Sequence, residues 1–339
     1  MGNKIKNRKI AIVGGAGFIG HNLAIKLKSL GANVSVIDSL QINNLKHIQD
    51  KPKEYPFPKL SKKIIHERLM LFRKNKIKMY ILDARNYKKL CSCINKIKPQ
   101  VIIHLAAVSH ANKSNKDPHT TFDHSLRTLE NTLDNAKNKI EHFIFLSSSM
   151  VYGNFKKQKV SENDRCEPIG IYGTLKYSAE KIIQAYGQIF NLPYTIIRPS
   201  ALYGERCISR RVGQIFIENA INGKTINLHG SDKEKLDFTY IQDFINGIIC
   251  ALKSKNSINQ IFNITYGRSR NIKTLLKILK DTFPNLKISY KKRDKFMPKR
   301  GTLDISKAKK LIKYRPAYPL EKAYPKYIEW YLKFMRPNN

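Results

Sequence analysis

The sequence predicts an α/β protein: a doubly wound parallel sheet followed by a smaller, mixed α/β C-terminal lobe. Three observations carry this. Short β-rich runs alternate with helical stretches through the first half of the chain, the pattern of a parallel sheet with helices on both faces. Those runs are apolar almost throughout, as strands covered on two faces must be. A glycine-rich turn joins the first run to the first helical stretch.

The elements follow in order. Residues 9–13 read as the first strand. Residues 18–30 read as a helix, with apolar residues at Ile19, Leu23, Leu27 and Leu30 on one face and Gly31 to end it. Further strands are predicted at 33–37, 78–82, 101–105, 142–146 and 194–197. An insertion between the second and third carries Pro52, Pro56 and Pro58, and reads as a loop with one basic helix near 59–75. The second half is less regular. Helices are predicted at 211–222, 241–253, 272–282, 304–313 and 320–334, and short strands near 225–228, 261–264 and 286–290. This divides the chain into a sheet domain, 1–200, and a lobe, 201–339, that closes over the sheet's carboxyl edge, with some crossing of the chain between them. No internal repeat is evident.

Composition narrows the class. With 339 residues, 42% of them hydrophobic and 17 Tyr, the chain is a packed globular protein. No apolar run reaches the ~20 residues a membrane helix needs. The basic start, Met1 to Lys9, is followed by an apolar run too short for a signal peptide, and Lys6 breaks the myristoylation pattern. The cysteines, five in number at 91, 93, 166, 207 and 250, have no metal-site spacing. A reducing cytoplasm and no metal are expected. The formal charge of +38 comes from 63 Lys and Arg against 25 Asp and Glu. The basic residues are spread along the chain and accompany abundant Asn and Ile, so we read compositional drift and expect no specific nucleic-acid partner. The excess charge would still attract a phosphate-bearing substrate.

Gly14, Gly17 and Gly20 have the spacing G-x-x-G-x-x-G between a strand and a helix. This is the Rossmann arrangement for a dinucleotide. Gly14 permits the tight turn, Gly17 the approach of a pyrophosphate, and Gly20 close packing of helix on strand. The helix start, with Phe18 and Ile19, offers free N–H groups to the phosphates. Asp38 ends the second strand about 20 residues on, where a carboxylate accepts from a ribose diol and repels a 2′-phosphate. No Arg follows it, so NAD is expected over NADP. Asp83 is placed either to meet the adenine amino group or simply to cap its turn.

Tyr172 and Lys176 are four residues apart and share one face of a helix. A phenol titrates near pH ~10 and is a poor base at neutrality. A neighbouring ammonium favours the phenolate. Tyr172 could then take a proton from a hydroxyl while a bound nicotinamide takes the carbon's hydrogen.

On these residues the chain resembles the extended short-chain dehydrogenase/reductase family, and within it the nucleotide-sugar epimerases and dehydratases. The resemblance rests on VGGAGFIG at 13–20, HLAAVSHANKS at 104–114, LSSSMVYG at 146–153, YGTLK at 172–176, RPSALYG at 198–204, LDFTY at 236–240 and KRGTLDISKA at 299–308. It implies Tyr172 as base, Lys176 as its partner and as a ribose contact, and Ser148 as the helper hydroxyl. It implies Ala106 and Ala107 as small residues lining the cofactor. Ser109, His110 and Ser114 are implied on the substrate side, with local turn capping as the alternative, and Arg300 on the substrate pyrophosphate. Members of the family generally dimerise through two helices per subunit, here near 119–138 and 171–190, so a homodimer is expected.

The departures bear on the reaction. Family dehydratases place Asp-Glu after the helper residue, where this chain has Ser149 and Met150, which cannot act as acid and base. Ala201 stands for an Asn that contacts phosphate, Leu236 for an Arg, and His124 and Arg127 for the Asn and Gly of N-x-x-G-T. Arg206, Arg210 and Arg211 could supply the missing charge or could simply form a solvated basic start to the next helix. The expected activity is NAD-dependent epimerisation of a nucleotide-diphosphate sugar, at C4, through a transient keto-sugar. A dehydratase, reductase or decarboxylase of the same family is the alternative. A cofactor-sensing or polyanion-binding protein is the alternative of another class.

Overall fold

The computed structural model describes residues 5–108 and 111–335. Seven parallel strands form the central sheet: β1 (Lys9–Val13), β2 (Asn33–Asp38), β3 (Lys78–Ile81), β4 (Val101–His104), β5 (His142–Leu146), β6 (Tyr194–Arg198) and β7 (Gln260–Asn263), in the order β7-β6-β5-β4-β1-β2-β3. The order reverses beside β1, between β2 and β4. A crevice opens at such a point beyond the strands' carboxyl ends.

The strands are five to six residues or shorter, and β1, β4, β5 and β6 are buried nearly end to end because helices cover both faces. Edge strand β3 departs from the uniformly apolar expectation, with Ile81 70% exposed. The strand expected near 261–264 in the C-terminal lobe instead completes the central sheet. Ile261 and Phe262 pair with Ile196 and Ile197 of β6, so the chain crosses back to the sheet.

Helix α1 (Phe18–Ser29) follows the glycine turn. The insertion after β2 contains α2 (Pro58–Lys74), with Pro58 at its first position where no intrahelical N–H is needed. It also contains a short helix, Leu45–Asp50, whose Asn44 side chain caps it and which sequence patterning did not show. Helix α3 (Tyr87–Ile97) carries Cys91 and Cys93, and all five cysteines are free. The helix expected over 119–138 is present as one helical run from 118 to 136 with a π-turn, Asp123–Arg127, set inside it after Pro118–Phe122; the part beyond that turn is α4 (Thr128–Ala136). Helix α5 (Gly170–Phe190) buries Leu175, and packs Ala179 and Ile183 on one sheet face.

The remaining chain adds α6 (Val212–Ile221), α7 (Ile241–Lys253), α8 (Ile272–Thr282) and α9 (Leu320–Met335), with α7 lying against α1. Small strand pairs bind it together, among them Ile226–His229 with Ile288–Lys291. Asp237 is the buried tie. Its carboxylate accepts from the Thr265 hydroxyl and from the backbone N–H groups of Gly267 and Leu303. Burial raises it to about 6 against those hydrogen bonds.

Candidate active site

A cavity of about 620 Å³ runs through the crevice, within the size range of ligand sites. Its walls include Gly14, Gly17, Phe18, Ile19, Gly20, Asp38, Asp83, Ala106 and Ala107 at one end. Ser148, Tyr172 and Lys176 lie along it, and Arg210, Arg211 and Arg300 are at the other end. Ser114 is fully buried and does not line the cavity. Expected as a substrate contact, it lies inside the packing of the helix Ala111–Lys116. Ser109 and His110 lie outside the described residues.

The three glycines differ in what they exclude. Gly14 has φ +78°, and a Cβ there would stand 2.5 Å from the Ala106 nitrogen. A Cβ on Gly20 would meet the Gly15 carbonyl at 2.4 Å. Gly17 is open: its Cβ would find only the Gly14 oxygen, at 3.5 Å. The first two glycines let the protein close on itself, and the third leaves room for something else. Helix α1 has no side-chain cap, so its first N–H groups face that room. Asp38 accepts from Ala16 N–H at 2.9 Å and Leu40 N–H at 2.8 Å, leaving further lone pairs for a diol. Burial raises its pKa from the ordinary value. Turn, helix end and carboxylate together fit a dinucleotide.

Asp83 caps its own turn, accepting from the Arg85 N–H at 2.9 Å, and is clamped by the Arg85 guanidinium at 2.6 Å. Burial acts to raise Asp83, but the Arg85 hydrogen bonds and charge outweigh it and hold the carboxyl low. Arg85 also reaches Asp123 and Gln41. His124, on the π-turn, lines the same end, and burial and then Arg85 lower its pKa.

The middle of the cavity is set by α5. Gly173, beside Tyr172, lets the helix approach the Met150 carbonyl, which a Cβ would meet at 2.8 Å. Asn115 accepts from the Ile171 N–H at 3.0 Å and so fixes the helix start. Of the three serines, Ser147 donates to Glu180, while Ser148 accepts the Met150 N–H at 3.2 Å and keeps a hydroxyl proton to give. Lys176 is buried and donates to the Leu146 carbonyl at 2.6 Å, with its ammonium 4.7 Å from the centre of the Phe145 ring. Burial pulls it down to about 7, against the pull of Glu180. One turn on, Glu180 forms a buried ion pair with Arg198 at 2.6 Å. This pins α5 to β6. Nothing in the helix periodicity marks the pair, because its partner lies on a distant strand.

Cations crowd the far end. Arg210 is held by Glu218 at 2.8 Å. Arg293, not singled out in the sequence, donates to Glu234 at 2.8 Å and keeps a buried Nη2 with no partner among the described residues. Burial and then Arg211 pull the Arg300 guanidinium down to about 10. Such crowding favours a bound anion. Asn154 and Phe155, just beyond the serine segment, tie down the backbone of Lys299, which positions Arg300.

The chain is similar to known proteins in sequence and in fold. The model of the NAD dependent epimerase/dehydratase family matches residues 10–265. An uncharacterized UDP-glucose epimerase of Bacillus subtilis, YtcB, is 30% identical over 92% of this chain and 94% of its own length. A UDP-glucuronic acid 4-epimerase from Bacillus cereus, solved with UDP-glucuronic acid and NAD, superposes with a TM-score of 0.85 at 26% identity, covering 96% of this chain and 99% of that one. A UDP-glucose 4-epimerase from Thermotoga maritima, solved with UDP-glucose, gives 0.82 at 25% identity and the same coverage.

Proposed function

Because the chain belongs to the NAD-dependent epimerase/dehydratase family, we propose that it epimerises a nucleotide-diphosphate sugar at C4. The observation that carries this is one cavity with a dinucleotide turn at one end, Tyr172, Lys176 and Ser148 in the middle, and an arginine cluster at the other. NAD, when bound, serves as temporary acceptor of the C4 hydrogen. Tyr172 removes the O4 proton as C4 is oxidised and returns it when C4 is reduced. Ser148 orients that oxygen with its free hydroxyl proton. Lys176 lends positive charge from beneath. Arg293 and Arg300, with Arg210 and Arg211 beside them, hold the diphosphate, which leaves the sugar free to present either face. Ser149 and Met150 offer no acid–base pair, so elimination of water is disfavoured.

We also propose a homodimer. Phe122 and Ile189, on the two segments expected to pair, are 53% and 71% exposed. No helix among the described residues is long and apolar enough to cross a membrane. A cytoplasmic location is supported by the free cysteines.

The test is a panel of UDP-, GDP-, CDP- and dTDP-sugars with catalytic NAD, followed by NMR and mass spectrometry, with Tyr172→Phe alongside. A new sugar of unchanged mass, made by the wild type and lost in the variant by about 10²–10⁴-fold in rate, is expected. A loss of mass would replace epimerisation with dehydration or decarboxylation. No turnover together with salt-sensitive RNA binding would replace it with a binding role.

A further inference from the structure

Helix α2 belongs to the insertion after β2, and one of its basic residues is wholly inside the protein. Arg68 is 1% exposed. Among the described residues its guanidinium is met by carbonyls and by no carboxylate. Its Nε donates to the Arg206 carbonyl at 3.0 Å, Nη2 donates to the same oxygen, and Nη1 reaches the Ala16 carbonyl at 3.5 Å. Burial pulls its pKa down to about 10, and the nearby Asp38 carboxylate, which does not hydrogen-bond to it, acts to raise it.

Ala16 lies inside the glycine turn. Its N–H donates to Asp38, and its carbonyl receives both Arg68 and the Asn44 amide, at 3.3 Å. The turn is thus clamped at both peptide units that flank the Ala16 Cα, and the next residues open α1 toward the cavity. Arg206 sits alongside. It donates to His21 Nε2 at 3.0 Å and reaches Asn22 and Glu67 at 3.4 Å each, tying the loop after β6 to α1. His21 Nδ1 faces the Gly17 carbonyl at 3.0 Å, so that nitrogen carries the proton and the ring is neutral. Burial, and then Arg68 and Arg206, hold its pKa well below the ordinary value. Asp38, engaged by two backbone N–H groups, sets its charge against Arg68, as Glu67 does against Arg206, so what Arg68 adds to the turn is its hold on the Ala16 carbonyl.

We propose that Arg68 is a positioning residue for the cofactor diphosphate. It fixes the glycine turn through the Ala16 carbonyl, at the end of α1 that receives the phosphates, and joins that turn to the Arg206 loop. This rests on the NAD assignment above. An insertion helix outside the glycine motif would then set cofactor affinity.

Calorimetry on protein freed of cofactor, with NAD, ADP and adenosine as ligands, tests it. In Arg68→Met the Kd values for NAD and ADP are expected to rise about tenfold or more, with adenosine changed by less than about twofold. Equal weakening of all three ligands would make Arg68 merely structural, and no change would make it irrelevant; either overturns the proposal. If Arg68→Met does not fold, Arg68→Lys decides. It keeps a charged donor, so the preference for ADP over adenosine should survive while the thermal midpoint falls, and loss of that preference would overturn the proposal. A wild-type protein that binds no NAD would instead remove the cofactor assignment itself.

Discussion

The two ends of the cleft are built by opposite means. The cofactor end is mostly backbone: glycines that exclude a Cβ, a helix end, and a carboxylate spent on two N–H groups. The substrate end is mostly side chain. Its arginines come from the segments 210–211 and 293–300, and buried polar atoms of Ser200, Tyr203 and Arg293 lack partners among the described residues. A backbone cradle is complete before its ligand arrives. A cluster of like charges is completed by its ligand. Affinity for the cofactor should therefore depend on turn geometry, and affinity for the substrate on single charges.

The sharpest break between the ends lies within the glycine turn. Gly14→Ala meets both a positive φ and the Ala106 backbone, so it should cost about 2–4 kcal/mol of stability, read by denaturant unfolding. Gly17→Ala meets nearly open space and should change the stability of the cofactor-free protein by less than about 0.5 kcal/mol while weakening NAD binding. Equal destabilisation by both would mean that the room at Gly17 is packing space and not a ligand's.

At the other end, Arg293→Leu removes a guanidinium with an unpartnered nitrogen. It should raise the Kd of the nucleotide sugar about tenfold or more and leave that of NAD alone. A parallel loss of both would erase the distinction between the ends.

Lys176, where the ends meet, gives an effect of another kind, a dependence on pH. Its folded pKa is lowered to about 7 from an ordinary 10.5. Between those values the unfolded chain keeps a proton that the folded chain has released. Stability should therefore rise with pH through this window, by at most about 1.4 kcal/mol per pH unit, and Lys176→Met should lack that rise. Unfolding at pH 7 and pH 9 checks it, and identical slopes in both proteins would contradict it.

The same division governs what could be read in the sequence. The glycine turn, Asp38 and the Tyr172–Lys176 pair are each local, with spacings that strand and helix geometry fix, and all line the cavity. The helices 241–253 and 272–282 were legible because their apolar stripes are strong. Features joined across long separations were not. Strand β7 looks like any short apolar run until it pairs with β6. Arg68 reads as one of many basic residues on a surface helix, although the missing acidic partner at helical spacing was visible. Arg293 sits in a lysine-rich run that hides it. Ser114 had the right neighbours in sequence but faces inward. The π-turn at 123–127, inside an otherwise continuous helix, is announced by no residue pattern.

The central claim is that one cleft oxidises and then reduces the same sugar carbon. Substrate carrying deuterium at C4, turned over in ordinary water, tests it most directly. The account predicts a C4 epimer that keeps its deuterium at C4, with none lost to solvent. Washout of the label into water, or inversion at another carbon with C4 untouched, would contradict it.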